Sequence, residues 1–189
     1  MYKIIESTVH NGHLLHRIEA MSTMCFGNFI IKPGTKGGWI ESESNLGEIA
    51  WVADNAMVYD DAVVSDHAVI YGNAIVKDCA KVYGYAKVGD KTIVRDHAKV
   101  FGNARVIGEA IVSDEAVISN SATIMESAIV SDKARVLLLP MKLLFVVRLL
   151  LAEMPTLATV PLFTARLWIM PWYMVMLVLI RVRGLAIML

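Results

Sequence analysis

Residues 63–80 read VVSDHAVIYGNAIVKDCA, three consecutive units of six in which the second residue is Val or Ile, the fourth Asp or Gly, and the sixth Ala. The pattern extends in both directions. From Trp51 to Ala134 the chain divides into fourteen hexads without an insertion, beginning WVADNA and ending IVSDKA. Place two is always Val or Ile, place six is Ala except for Thr92, and place four is Gly, Asp, Asn or Glu. A fixed short period is the mark of a repeat architecture in which like units stack. A β-branched residue in every unit suits a short strand with its side chain turned inward, and a small residue fits where the wall bends. Gly, Asp or Asn tolerates the backbone of a turn. Each hexad is therefore expected to be one side of a coil in an all-β solenoid.

In this pattern the chain resembles the hexapeptide-repeat proteins, the LpxA-like group that folds as left-handed parallel β-helices with three hexads in each triangular coil. The spacing from the aliphatic residue to Ala, as in Ile70 to Ala74, follows that family. Gly or Asp falls two places after the aliphatic residue rather than one, which points to a divergent subgroup. Handedness comes from the resemblance alone, because the general preference for right-handed crossovers points the other way. The lead-in IKPGTKGGWIESESNL has no period of six and carries a Pro33-Gly34 turn and a Gly37-Gly38 pair before Trp39. It reads as a compact cap on the first coil. A GGWIE lead-in followed by hexads most resembles the YdcK-like, prophage-associated proteins, assigned as transferases from their fold. The chain accordingly divides into a lead-in (1–50), a hexapeptide-repeat β-helix (51–136) and an apolar tail (137–189).

With three hexads to a coil, residues eighteen apart stack, and place one is expected to point outward. One of its columns is Met57, Ile75, Ile93, Ile111 and Ile129, whereas the others include Lys81 with Lys99 and Lys87 with Arg105. A contiguous apolar column on one face predicts an interface between subunits, or a surface covered by the lead-in. Family precedent makes the expected homo-oligomer a trimer.

Hexapeptide acyltransferases use a histidine as general base. The weak candidates here are His67 and His97, both in the sequence DHA at the fifth place. Five hexads separate them, so they are expected on different faces, about 8 Å apart along the axis. An outward place that also holds Asn73 and Lys91 is better read as solvated wall. No third histidine joins them in the repeats, and metal sites need three or four converging ligands, so no metal is expected. His10, His13 and His16 surround Asn11-Gly12, a turn signal that predicts a hairpin rather than a ligating helix face. Cys25 and Cys79 lack ligand spacing and read as reduced thiols.

Eighteen basic residues balance eighteen acidic ones, so net charge supplies no case for a nucleic-acid partner. The opening MYKIIESTVHNGH has neither the basic start nor the apolar run of a signal peptide, and a cytoplasmic location is expected.

The composition then changes abruptly. Leu137 to Leu189 contains no Ser, Asn, Asp, Gln or His and only one glycine, Gly184. Lys142, Arg148, Pro161, Arg166 and Pro171 interrupt its apolar runs, which makes poor membrane spans. Read one base earlier, the codons for LWIMPWYMVML (167–177) admit the spelling VDNAVVYGNA, in the pattern of the hexads upstream. The tail is expected to be repeat sequence translated out of frame.

Two classes of function follow. A structural or interaction solenoid that self-associates, prophage-derived and truncated by a frameshift, needs no cofactor. A hexapeptide acyltransferase would need acetyl-CoA or another acyl-CoA, yet the uninterrupted hexads leave no place for the loop that shapes such a substrate site. The first class is favoured, and a membrane-anchored β-helix is a further alternative.

Overall fold

The computed structural model describes residues 2–27, 29–138, 179–182 and 185–188. Each hexad supplies a two-residue strand at places one and two, such as Met57–Val58 and Ile75–Val76. These strands pair in parallel with the strand eighteen residues on: Ile75 lies opposite Met57 and Ile93, and Lys81 opposite Val63 and Lys99. Three hexads therefore close one coil, and the chain is an all-β parallel solenoid of about 6 turns. Among the described residues there is no α-helix, and a 3-10 turn spans Glu43–Asn45.

The reason for the residue type at place four is visible in the backbone. In all fourteen hexads this residue is left-handed, with φ between 55° at Asp54 and 84° at Gly108. A side chain in that region costs roughly 1–2 kcal/mol for most L-residues, and Gly, Asn and Asp escape most of it. The turn is closed by the place-six amide donating to the place-three carbonyl, as from Ala56 N to Ala53 O at 3.1 Å. Aspartate adds a second contribution. Seven place-four carboxylates, those of Asp54, Asp60, Asp66, Asp78, Asp90, Asp96 and Asp114, accept from the backbone N–H eighteen residues later. Each such side chain thus holds its own turn and ties it to the next rung.

Inside the coil, place two from Val52 to Val130 is fully buried, and place six is Ala or Thr92, equally buried for most of the length. Burying one such aliphatic side chain contributes roughly 1.5–3 kcal/mol, and the sum is delivered by a single continuous column of side chains.

The lead-in is built from five strands. β1 (Tyr2–His10) and β2 (His13–Ala20) form the expected hairpin across Asn11-Gly12, both at positive φ. β3 (Met24–Phe26) and β4 (Phe29–Ile31) form a second, smaller one. β5 (Lys36–Ile40) pairs antiparallel with β2 and parallel with Met57–Val58, so Trp39 lies opposite Met57 as the first rung of the solenoid wall. The Gly37-Gly38 pair is demanded by close approach: a Cβ at Gly37 would lie 2.6 Å from Val52 O, and one at Gly38 2.5 Å from Ala56 O.

Two expectations change here. The apolar Met57 column is not covered by the lead-in, because β5, β2 and β1 extend its sheet edge to edge instead of lying across it. Outward-pointing place one is not solvent-exposed throughout either: Trp51 and Val69 are 1% and 4% exposed. Ile18, Phe26 and Ile31 of the lead-in join them in one core, which covers the first two rungs of that face.

Beyond Leu138, the described residues are two strands, Leu179–Val182 and Leu185–Met188, paired antiparallel. The out-of-frame reading of the tail otherwise falls on residues outside those described. No helix among the described residues is long and apolar enough to cross a membrane.

Candidate functional site

The three faces and three corners of the coil gather residues that are scattered in sequence. One face carries Trp39, Met57, Ile75, Ile93, Ile111 and Ile129 on consecutive rungs, in one register. The first five are half-buried by their neighbours, and Ile129 is 41% exposed. Trp39, which lies before the first regular hexad, is the member of this column that the period of six did not reveal. Arg17 sits over its ring, 5.2 Å from the centroid, and donates to Gly37 O and Asp54 O.

The corner that follows this face carries Asp60, Asp78, Asp96, Asp114 and Asp132 on successive rungs. Amide donation from Asp78, Asp96, Asp114 and Asp132 to the preceding carboxylate links them into a ladder. Like charges at rung spacing repel, and two cations from place three offset this: Lys77 lies 3.4 Å from Asp78 and Arg95 3.6 Å from Asp96. Glu41 completes the ladder at its first rung, where its Oε2 accepts from Asp60 N at 2.7 Å. That hydrogen bond, with help from His13 and against the effect of burial, holds the Glu41 carboxyl below its ordinary range.

The two candidate catalytic histidines are not brought together. His97 projects from the acidic corner, exposed, on the rung after Cys79 and before Glu115. Cys79 and His97, eighteen residues apart, share a column, yet no side-chain hydrogen bond joins them among the described residues. His67 belongs to the next corner, where it stacks on Tyr85 with centroids 4.9 Å apart and planes 21° apart. Beside it Tyr83 stacks on Phe101 at 4.9 Å and 3°. A general base needs a partner in hydrogen-bond reach and a group that orients it. Neither histidine has an acidic neighbour in that role among the described residues.

One half-buried phenol illustrates how the rungs interlock. Tyr71 lies over Gly89 on the next rung, where an added Cβ would fall 2.0 Å from its Cζ. Burial pushes its hydroxyl above the usual range, with Asp90 acting in the same direction and Arg105 against it.

Among the described residues, one set of side chains converges closely enough to hold an ion: His13, Glu41 and Asp60, at the join between lead-in and solenoid. Compared with known proteins, the chain matches no family model and no curated protein.

Proposed function

We propose that this chain is a structural solenoid module that assembles with copies of itself through the face bearing Met57, Ile75, Ile93, Ile111 and Ile129. The observation that carries this reading is the continuity of that column, which runs from the lead-in's Trp39 through every rung of one face, in register. On the other two faces, place one becomes basic on two rungs each, Lys81 with Lys99 and Lys87 with Arg105, flanked there by Val63, Val117, Val69 and Thr123. An apolar stripe rimmed by charged faces is the usual composition of a docking surface. The resemblance of the hexads to LpxA-like and YdcK-like proteins supports a left-handed coil and threefold assembly. The unbroken hexads and the separated histidines support a module without cofactor over an acyltransferase.

Light scattering tests the assembly. Replacing Ile93 and Ile111 together by Lys should leave the coil's circular dichroism intact and lower the oligomer's mass. Lys81→Glu with Lys99→Glu, on a different face, should leave the mass unchanged. An unaltered mass in the Ile93→Lys, Ile111→Lys protein refutes the interface. A saturable acetyl-CoA stabilisation abolished by His67→Ala or His97→Ala would overturn the non-enzymatic reading, since ligand at 100 times its Kd adds about 2.7 kcal/mol.

A further inference from the structure

The join between lead-in and solenoid holds an arrangement that neither segment predicts alone. His13 begins β2, beside the end of β5, where Glu41 follows Ile40. Asp60 belongs to the corner of the next rung. Each carboxylate spends one oxygen on the backbone: Glu41 Oε2 accepts from Asp60 N at 2.7 Å, and Asp60 Oδ2 from Asp78 N at 3.2 Å. The oxygens left over both face one atom. His13 Nδ1 is 3.1 Å from Glu41 Oε1 and 3.5 Å from Asp60 Oδ1, and the three donor atoms all lie within 4.8 Å of one another. The imidazole is itself placed, tilted against the Tyr59 ring at 4.8 Å.

A neutral imidazole has one N–H at most to offer at Nδ1, and it cannot satisfy two ionised carboxylates. Two negative charges converging on one nitrogen call for a positive charge, which a proton on the imidazole or a divalent ion among the three groups would supply. The two separations from His13 Nδ1, 3.1 and 3.5 Å, are close to those of ligands on one ion: two ligands about 2.1 Å from a common ion, at tetrahedral or octahedral angles, are about 3.0–3.4 Å apart. A nitrogen with two carboxylate oxygens is a donor set for zinc-class divalent ions. The hard ions calcium and magnesium favour oxygen alone. Both carboxylates are held by backbone amides and the histidine by an aromatic neighbour, the supporting contacts that orient ligands in metal sites.

We propose that His13 Nδ1, Glu41 Oε1 and Asp60 Oδ1 form a binding site for a zinc-class divalent cation that fastens the N-terminal hairpin to the acidic corner of the solenoid. One divalent ion neutralises the two carboxylates. With three protein ligands its remaining coordination positions are open to water. The residues lie 28 and 19 positions apart along the chain, from His13 to Glu41 and from Glu41 to Asp60. They meet only because Glu41 falls on the first rung of the aspartate ladder.

The test is calorimetric titration of untagged, chelator-treated protein with Zn2+, in parallel with Ca2+. One saturable Zn2+ site per chain is expected, with a rise in thermal midpoint and no competition from Ca2+. His13→Phe keeps a ring on Tyr59 and removes the nitrogen donor. Asp60→Asn keeps the left-handed turn and the acceptor for Asp78 N and removes a charged ligand. Each should weaken Zn2+ by at least tenfold, whereas His97→Ala should not. Absence of saturable Zn2+ binding, or affinity unchanged in both His13→Phe and Asp60→Asn, overturns the site. It stands or falls separately from self-association, because none of its ligands belongs to the column of Met57, Ile75, Ile93, Ile111 and Ile129.

Discussion

Asp90 isolates the two roles assigned to place four. It is exposed, has φ 59°, and accepts from Gly108 N through Oδ2 at 2.8 Å. The place-four residues on the rungs either side are Gly72 and Gly108, so no carboxylate ladder complicates its column. Asn keeps both the tolerance of left-handed backbone and the acceptor, and should change stability by less than about 0.5 kcal/mol. Gly keeps the backbone but loses the hydrogen bond, about 0.5–1.5 kcal/mol, and gains freedom in the unfolded chain, a further loss of about 0.5–1 kcal/mol. Ala loses the hydrogen bond and forces an unassisted Cβ into the left-handed region, about 1–2 kcal/mol, for a sum of about 1.5–3.5 kcal/mol. Urea unfolding followed by far-UV circular dichroism should show midpoints falling in the order Asp, Asn, Gly, Ala with an unchanged slope. Lys91→Ala, one residue on, should move the midpoint little, because its ion pair with Glu109 is solvent-exposed. If Asp90→Ala unfolds at the same urea concentration as Asp90→Asn, backbone conformation does not choose the residue at place four.

Thr92 is the exception among the place-six residues, fully buried with an Oγ1 that has no hydrogen-bond partner. Thr92→Val keeps its shape and removes the unmatched hydroxyl, so the urea midpoint should rise by the equivalent of about 1 kcal/mol. A fall would show that the hydroxyl is satisfied. Glu41 has a folded pKa below its ordinary 4.5. Its contribution is therefore complete above pH 4.5 and is lost as pH drops through the lower, folded value. Thermal midpoints should decline on acidification below pH 4.5, and Glu41→Gln should flatten that part of the decline; an unchanged acid profile in Glu41→Gln removes Glu41 from the account. For the tail, the nucleotide sequence after the codon for about Val136, read one base earlier, should continue Val-x-Gly/Asp-x-Ala hexads past the position of Leu189. Stop codons or no hexads in that frame refute the out-of-frame origin.

The period of six was enough to read the wall. Val or Ile at place two, Ala at place six and a left-handed residue at place four are constraints that each hexad meets within its own few residues. They therefore repeat visibly along the chain, and the hairpin at Asn11-Gly12 is local in the same way. The columns follow once three hexads make a coil, which the parallel pairing of Ile75 with Met57 and Ile93 establishes.

What the period could not decide lies where the lead-in meets the repeat. Trp39 became the first rung of the Ile column, Trp51 and Val69 were buried in one core with Ile18, Phe26 and Ile31, and Glu41 took the head of an aspartate ladder. Each of these depends on how an aperiodic segment stacks on a periodic one. Side chains that recur at eighteen residues announce their neighbours. The meeting of His13, Glu41 and Asp60, at unequal separations along the chain, was decided only when the antiparallel pairing of β2 with β5 and the parallel pairing of β5 with the next rung were both made.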